Sequence, residues 1–313
     1  VKRESLKMED KELSQDLSAK VIVVTGANSG IGFEACKNFA SRGATLAMVC
    51  RSKEKGQSAL ENIEALSSKA SIRLFVADFS SLESVARVAR ELVMAYPVID
   101  VLCNNAGGAN GQRIVTKEGF ETTLVVNHLS GFLLTKLLMP AILNAGKGEP
   151  ARVVFTSSLG HKNSPLDFDD LNLEEAYGSL KAYGRSKLMN LLTARSLDQK
   201  YRENNVIVSS FHPGAVRTAI WGKGGALAKV LGFVMYPFMW SIEKGTDTFI
   251  WLASSNDEAV KNANGKYFFD RGTPEIAVFA TDAVSEQLWQ VSEGLVEPWV
   301  LEQSSDKCGP LDL

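Results

Sequence analysis

Short apolar runs alternate with longer amphipathic stretches along most of this chain. Most of the short runs are β-branched and apolar throughout, which is typical of strands covered on both faces of a parallel sheet. Seven runs are predicted as strands, at residues 21–25, 44–49, 72–76, 100–103, 152–156, 206–211 and 266–269. Between them, apolar residues recur at helical spacing, as in residues 82–96. The pattern predicts an α/β fold of Rossmann type: a doubly wound, seven-stranded parallel sheet with helices on both faces.

The alternation continues without a repeat, a low-complexity tract or a linker rich in Gly, Ser or Pro. A chain of 313 residues with 45% hydrophobic content can bury a substantial core, in one large domain or two smaller ones. Because no boundary is visible, we expect a single domain over residues 20–313, preceded by a polar extension over residues 1–19.

Charge and composition narrow the class of partner. The chain has 34 Lys and Arg against 36 Asp and Glu, so its net charge of -2 gives no basic field for nucleic acid. Its four cysteines are widely spaced, and we interpret them as reduced, buried thiols. The polar extension resembles neither a signal peptide nor a transit peptide, which favours a cytoplasmic location. The most apolar stretch, residues 226–240, is shorter than the roughly 20 residues of a membrane span. A small-molecule substrate is therefore the expected partner.

A glycine-rich segment, Thr25-Gly26-Ala27-Asn28-Ser29-Gly30-Ile31-Gly32, follows the first strand and opens the helical run 33–40. Glycines permit a tight turn and a close approach of the backbone to a pyrophosphate, and the helix N-terminus favours its negative charge. By itself the segment is equally compatible with a structural turn. No Gly-Lys-Ser/Thr follows, which excludes a P-loop.

The end of the second strand reads Val49-Cys50-Arg51-Ser52-Lys53, where the adenosine ribose of a dinucleotide would lie. An acidic residue there would bond a ribose 2′-hydroxyl, whereas an Arg accommodates a 2′-phosphate. Arg51 and the missing acid favour NADP(H) over NAD. The alternative is that Arg51 only begins a solvated helix.

Tyr183 and Lys187 stand four residues apart in a helical run, so the phenol and the ammonium share one face. Moving the pKa of a Tyr from about 10 to about 7 needs roughly 4 kcal/mol of preference for the phenolate, which a neighbouring cation helps to supply. Alone, such a pair is common on surfaces. Its weight comes from Thr156-Ser157-Ser158 and Asn104-Asn105-Ala106-Gly107, which follow predicted strands at the carboxyl ends where such sheets bind ligands. Asn127, within the helix-like run 124–134, adds an amide that permits close contact with a cofactor.

With these motifs together, residues 20–269 resemble the short-chain dehydrogenase/reductase family. The resemblance implies hydride transfer between nicotinamide and substrate carbon, with Asn127, Ser158, Tyr183 and Lys187 as the catalytic residues. Tyr183 would carry the proton, Ser158 would steady the substrate oxygen, and Asn127 would support a water-linked path to Lys187. The residues it places at the cofactor are Gly26, Asn28, Ser29, Gly30, Ile31, Gly32, Arg51, Ser52, Asp78, Phe79, Asn104, Ala106, Gly107, Tyr183, Lys187, Pro213, Gly214, Val216 and Thr218.

The spacing between Ser158 and Tyr183 is 25 residues, about twice that of many family members, and the extra stretch 163–177 is acidic and loop-like. In this it is similar to the retinol dehydrogenase branch and the relatives of the WW-domain oxidoreductase. The spacing leaves Ser157 as an alternative hydroxyl, and Ser158 is chosen as the second Ser of the pair. Unlike in many members of that branch, no N-terminal apolar anchor is expected.

The segment after Thr218 is unusually apolar and, in the family, forms a lid on the substrate side. Its large apolar residues are Trp221, Leu227, Val230, Leu231, Phe233, Val234, Met235, Tyr236, Phe238, Met239 and Trp240. A lid over about 219–241 predicts a retinoid-, steroid- or lipid-like alcohol or carbonyl. Packing on the body, homo-oligomer formation and peripheral membrane contact are the alternatives for these residues.

Two further function classes remain open. The chain could be a catalytically silent NADP-binding regulator, against which the intact catalytic set argues, or an enzyme resembling protochlorophyllide reductase. The three histidines, His128, His161 and His212, lack the spacing of metal ligands, so no metal is expected.

Overall fold

The computed structural model describes residues 15–67, 69–216 and 239–305, with side chains up to residue 301. Its described residues form one seven-stranded parallel sheet in the order β3-β2-β1-β4-β5-β6-β7. The strands are β1 Val21–Thr25, β2 Thr45–Cys50, β3 Ser71–Val76, β4 Val101–Asn104, β5 Ala151–Thr156, β6 Val206–Phe211 and β7 Tyr267–Phe268. All seven predicted strands are confirmed, each with its ends within one residue of the expected positions.

Helices cover both faces of the sheet, as the continuous apolar strands require. They are α1 Gly30–Ser41, α2 Lys53–Glu64, α3 Leu82–Ala95, α4 Thr122–Gly146, α5 Ser179–Tyr201, α6 Ile242–Ser254, α7 Glu258–Lys261 and α8 Asp282–Ser305. Side chains of α1, α2, α6 and α7 share one core with Ile22 and Val24, whereas α3, α4, α5 and α8 share the other with Val23. Successive β1 residues thus enter opposite cores, and the doubly wound Rossmann-type prediction is confirmed.

Two helix starts show how local chemistry sets the boundaries. Helix α3 begins after Ser81, whose Oγ accepts a hydrogen bond from Ser84 N at 3.3 Å, and its apolar stripe is buried, as the pattern at 82–96 predicts. Helix α1 begins at Gly30, whereas the sequence pattern placed its start at Phe33. The glycines of the motif therefore form the first turn of the helix itself.

Among the described helices, only α4 is long and apolar enough to cross a membrane, with 25 residues and a mean hydropathy of 1.4 in its most apolar 18-residue window. However, 78% of its most apolar window is buried inside the molecule, so packing in the core accounts for its composition. Within it, Val125–Leu129 forms a π-helical turn. Such turns widen the helix locally and often occur at functional positions.

The end of the expected N-terminal extension, residues 15–19, lies against the domain. Leu17 is buried, and its amide donates to the carbonyl of Arg42 at 2.8 Å. Cys36, Cys50 and Cys103 are free and buried, which confirms the interpretation for these three thiols, and Cys308 lies outside the described residues.

Candidate active site

The carboxyl ends of the parallel strands bring the sequence motifs to one edge of the sheet. The glycine-rich turn follows β1, Arg51 follows β2, and the Asn-Asn-Ala-Gly segment follows β4. Ser157 and Ser158 follow β5, and His212 with Pro213 follows β6. Motifs that are far apart in the sequence therefore converge because each occupies the same end of its strand.

The glycine-rich turn has the geometry of an anion cradle. Gly26 and Gly30 have φ angles of 67° and 56°, in the left-handed region that favours glycine. A Cβ on Gly32 would lie 2.5 Å from the carbonyl oxygen of Gly26, so a side chain there would break the turn. Ser29, the N-cap of α1, makes no side-chain cap bond, and the first turn holds no acidic residue. Nothing in this turn neutralises the positive end of α1, which suits a bound phosphate.

Asn105 and Thr25 tie this turn to the segment after β4. Thr25 Oγ1 accepts hydrogen bonds from the amides of Asn105 and Ala106, both at 2.9 Å, and Asn105 Nδ2 donates to Thr25 O at 2.9 Å. The neighbouring Asn104 points its side chain inward and donates to Thr135 Oγ1 at 2.8 Å. The side chain of Asn104 is thus a structural tie, and its contact with a cofactor stays a prediction.

Four residues predicted to contact the cofactor lie beyond β2 and β3. Arg51 is exposed, whereas Ser52 caps α2 by accepting a hydrogen bond from Lys55 N at 3.2 Å. Asp78 is exposed and its carboxylate accepts from the amide of Ser80 at 2.9 Å, which orders the loop after β3. Phe79, the next residue, is buried. Arg51 and Asp78 therefore present their charges to solvent at the expected edge.

Tyr183 and Lys187 lie one turn apart on α5, with Lys187 Nζ 5.6 Å from the centroid of the phenol ring. The ammonium donates to the carbonyl oxygen of Thr156 at 3.0 Å and is almost fully buried. Burial lowers the pKa of Lys187 to about 8, so the group is still mostly charged at pH 7. A positive charge is thus held beside the phenol by the end of β5.

The two serines after β5 have different surroundings. Ser157 is buried, and its hydroxyl donates to the carbonyl of Lys187 at 2.7 Å, which ties β5 to α5. Ser158 instead lies beside the phenol of Tyr183. Burial raises the pKa of Tyr183, and the hydroxyl of Ser158 opposes that rise by favouring the phenolate. The geometry therefore favours Ser158 over Ser157 as the hydroxyl that works with Tyr183.

Asn127 occupies the π-helical turn of α4 and connects the site from the other side. Its Oδ1 accepts from Gly108 N at 2.8 Å, and its Nδ2 donates to Gly108 O at 2.8 Å and to Ser186 Oγ at 2.9 Å. A Cβ on Gly107 would lie 3.1 Å from Lys187 Nζ and 3.2 Å from Asn127 Oδ1. A glycine at this position therefore lets the backbone approach Lys187 and Asn127 without crowding their side chains.

The extra stretch 163–177 forms a strap across α5. Arg185 Nε donates to Pro165 O at 3.0 Å and Arg185 Nη1 donates to Asp170 O at 2.9 Å, so one guanidinium holds two points of the strap. Asn172 accepts from Glu121 N at 2.9 Å, and this contact joins the strap to the start of α4. The expectation of an irregular, acidic segment holds, but the segment is fastened to the helix that carries Tyr183 and Lys187.

The segment after β6 is held by aromatic contacts. Gly214 has a φ of 81°, and the ring of Trp240 lies 2.9 Å from where its Cβ would stand. Val216, which is buried, pairs with Trp240 in a parallel β-bridge, and Trp240 N donates to Ala215 O at 2.8 Å. Thr218 and nearly all of the expected lid at 219–241 lie outside the described residues, which resume at Met239.

A sequence model described as short chain dehydrogenase matches residues 20–226. The chain belongs to the short chain dehydrogenase family. DnrU of Streptomyces sp. (strain C5), a protein named as a daunorubicin C-13 ketoreductase, is 36% identical over 282 residues, covering 90% of this chain and 93% of that protein. Human retinol dehydrogenase 14 is 34% identical over 298 residues, covering 90% of this chain and 87% of the human protein.

Solved structures carry the same fold. A crystal structure of a protein from Mycobacterium paratuberculosis has a TM-score of 0.71 at 27% identity, covering 90% of this short chain dehydrogenase and 95% of that chain. The L-sorbose reductase of Gluconobacter frateurii, complexed with NADPH and L-sorbose, has a TM-score of 0.65 at 18% identity, covering 86% and 99% of the two chains. At that identity the likeness shows the fold alone.

These findings confirm the resemblance to the short-chain dehydrogenases and to their retinol dehydrogenase branch. The protein is therefore an oxidoreductase of a family that acts on alcohols and carbonyls with a nicotinamide dinucleotide. The roles of individual residues in this short chain dehydrogenase remain predictions.

Several residues that shape the site were not found from the sequence. Asn105 stands inside a recognised motif, but only its contacts show that it, rather than Asn104, joins the two loops. Arg185 falls between Tyr183 and Lys187, and a charged residue within a helical run gives no signal of its own in the sequence. His128 lies with its ring 5.9 Å from that of Phe132 in its own helix and also bonds Ser292 of α8 through Nε2 at 2.8 Å, a contact that the sequence did not indicate. Burial lowers its pKa to about 3, so the ring stays neutral at pH 7.

Proposed function

We propose that this chain is an NADP(H)-dependent oxidoreductase that interconverts an alcohol and a carbonyl on a bulky, apolar substrate, with Tyr183 as general acid and base. The observation that carries the proposal is the meeting of Tyr183, Lys187, Ser158 and Asn127 beside an open helix N-terminus. The charge of Lys187 lies one turn from the phenol, and the hydroxyl of Ser158 favours the phenolate. This set of groups suits proton transfer at a substrate oxygen.

The described residues fit a dinucleotide. The cradle formed by Gly26, Gly30 and Gly32 would hold the pyrophosphate, and the exposed Arg51 would meet a 2′-phosphate. Ser52 and Asp78 order the neighbouring loops, and no acid occupies the position after β2 that would select an unphosphorylated ribose. When bound, the nicotinamide would supply or accept the hydride.

The protein groups divide the remaining work between them. Tyr183 gives a proton to the substrate oxygen during reduction and takes it back during oxidation, while Ser158 holds that oxygen. Because burial raises the pKa of Tyr183, the phenolate needs the opposing hydrogen bond of Ser158 and the cation that Lys187 holds one turn away. Asn127 holds the Gly108 backbone and Ser186, so it fixes the spacing between α4 and α5 around the reacting groups.

The neighbourhood of the reacting groups supports an apolar substrate. Leu159 directly follows Ser158, and Leu180 precedes Tyr183 by one helical turn, yet the two leucines are 56% and 79% exposed. The chain between Val216 and Met239 is also rich in large apolar residues. Retinol and daunorubicin, for which two relatives are named, are both large ring-containing molecules. Together these features favour a polycyclic or long-chain carbonyl over a sugar.

The test is an NADPH-oxidation screen over aldehydes and ketones of graded size and polarity, run on the parent and on Tyr183→Phe. We expect the highest kcat/KM for bulky apolar carbonyls and a loss of most turnover in Tyr183→Phe, with NADPH binding retained because the ring remains. Tyr201→Phe, at the far end of α5, is the matched control and should keep full activity. Comparable kcat in Tyr183→Phe contradicts the assigned role. NADPH binding without turnover of any carbonyl would instead indicate a silent nucleotide-binding protein.

A further inference from the structure

Five aromatic rings form a continuous row behind the site. Trp240 stacks on Phe269 with ring centroids 5.1 Å apart, and Phe269 stacks on His212 at 4.1 Å. His212 stacks on Tyr267 at 5.8 Å, and Tyr267 meets the ring of His161 edge to face at 4.8 Å. This aromatic row connects the segment after β6 to the short 3₁₀ helix Leu159–Asn163, which follows β5.

At the His161 end of the aromatic row, Ser158 is held in place. His161 Nδ1 lies 2.7 Å from the carbonyl oxygen of Ser158, and since a carbonyl only accepts, Nδ1 must carry the proton. The amide of Gly160 meanwhile donates to Ser158 Oγ at 3.2 Å. His161 is fully buried, and burial lowers its pKa, which keeps the ring neutral. Both the backbone and the hydroxyl of Ser158 are thus fixed from one side of the site.

At the Trp240 end of the aromatic row, the segment after β6 is held in place. His212 Nδ1 accepts a hydrogen bond from Gly214 N at 3.0 Å, so this ring carries its proton on Nε2 when neutral. The ring of Trp240 covers Gly214, as described above. The two histidines of the row therefore have opposite tautomers, each dictated by a backbone group at its own end.

We propose that His161 is a positioning residue for Ser158. Its Nδ1–H fixes the Ser158 carbonyl, and the aromatic row fixes the imidazole, so that Ser158 Oγ stays directed at the oxygen that Tyr183 protonates. This inference rests on the proposed function. A misplacement of about 1 Å in such a group can cost on the order of 100-fold in rate.

A purely structural role for His161 predicts different effects of substitution from a role in positioning Ser158. Buried rings in contact are ordinary core packing, and for packing any ring of similar size suffices. His161→Phe keeps the ring against Tyr267 but removes the Nδ1–H. His161→Asn loses the ring but places an amide nitrogen close to the former Nδ1 position. The two variants therefore separate the hydrogen bond from the packing.

The kinetic test measures kcat, KM and NADPH affinity for the parent, His161→Phe and His161→Asn, each with and without Ser158→Ala. We expect His161→Phe to lower kcat by about tenfold or more with NADPH affinity unchanged, and His161→Asn to recover part of that loss. In the Ser158→Ala background, His161→Phe should cost nothing further, because the hydroxyl it positions is gone. A kcat within about twofold of the parent, or the same factor lost in both backgrounds, overturns the inference.

A second measurement does not need turnover. The chain has 3 histidines, so ¹⁵N NMR of the imidazoles can be assigned by single substitutions. We expect neutral His161 protonated on Nδ1 and neutral His212 protonated on Nε2. The opposite tautomer at His161, or a charged ring at pH 7, refutes the hydrogen bond and the inference with it. A parent enzyme without activity on any carbonyl would instead count against the proposed function, whereas an active parent with a silent His161→Phe refutes the inference alone.

Discussion

Lys187 is a buried ammonium, and replacing it with Met should stabilise the protein while removing its activity. The pKa of Lys187 falls from 10.5 to about 8 through burial, and this difference corresponds to about 3 kcal/mol of penalty for holding the charge at pH 7. The Thr156 carbonyl that the ammonium bonds also accepts from Asn190 Nδ2 at 3.0 Å, so it keeps a partner in Lys187→Met. Loss of the ammonium hydrogen bond costs about 1 kcal/mol. The expected net gain is about 2 kcal/mol, or a rise of about 4 °C in Tm.

The sign of the pH dependence follows from proton binding. Between pH 8 and 10.5 the unfolded chain still holds the Lys187 proton and the folded protein does not, so the stability of the parent rises with pH. The advantage of Lys187→Met is therefore complete below pH 8 and shrinks by about 1.4 kcal/mol for each pH unit above it. It should nearly vanish by about pH 9.5.

The assay is denaturant unfolding of the cofactor-free protein at several pH values from about 6.5 to 9.5, with Lys181→Met as control. Lys181 is exposed on the same helix, so its replacement removes a charge without changing the core. A destabilised Lys187→Met at pH 7, or a gain that is the same at every pH, would refute the reasoning. Turnover should be lost in Lys187→Met at every pH, since the cation beside Tyr183 is gone.

Three further predictions concern named side chains. Arg51→Ala should weaken NADPH binding more than NADH binding, and an equal loss for both cofactors would mean that Arg51 does not contact the 2′-phosphate. Ser158→Ala should lose turnover with little change in Tm. Ser157→Ala should instead lose about 1 kcal/mol of stability and keep most of its kcat. The reverse pattern would make Ser157 the catalytic hydroxyl and Ser158 the structural one. Arg185→Ala should lower Tm, because two carbonyls of the strap lose their hydrogen-bond donor. Arg185→Lys should not restore Tm, since one ammonium cannot reach both acceptors. Full recovery of Tm in the Lys variant would argue against the role of the guanidinium in holding the strap.

The sequence predicted those features of the fold and the site that hydrophobic periodicity and the positions of strand ends determine. Strand positions such as 21–25 and 206–211 followed from continuous apolar runs, since burial on both faces leaves little freedom in composition. The meeting of the segments around Ser158 and Asn104 followed from parallel strands, whose carboxyl ends share one edge. These features depend on regular geometry, which a linear pattern records directly. The places of Tyr183 and Asn127, which lie on helices, were implied by the family resemblance.

Contacts between irregular segments could not be read in the same way. Ser157 and Ser158 are identical in type, and only the backbone after β5 decides which hydroxyl turns to α5 and which to Tyr183. The strap is irregular, so no periodicity predicts that Arg185 would hold it. The partner of His128 lies on α8, more than 160 residues away in sequence, and one sequence carries no record of such a pair.

The β-bridge between Val216 and Trp240 holds the two ends of the connection after β6 next to each other, so the connection itself can be exchanged. Any chain inserted between these two residues leaves and re-enters the domain at neighbouring points. The fold therefore already holds the two ends of such a loop together. Doubling the length of a flexible loop with fixed ends costs only about 0.6 kcal/mol. A new segment could therefore be grafted here without redesigning the sheet or the groups around Tyr183.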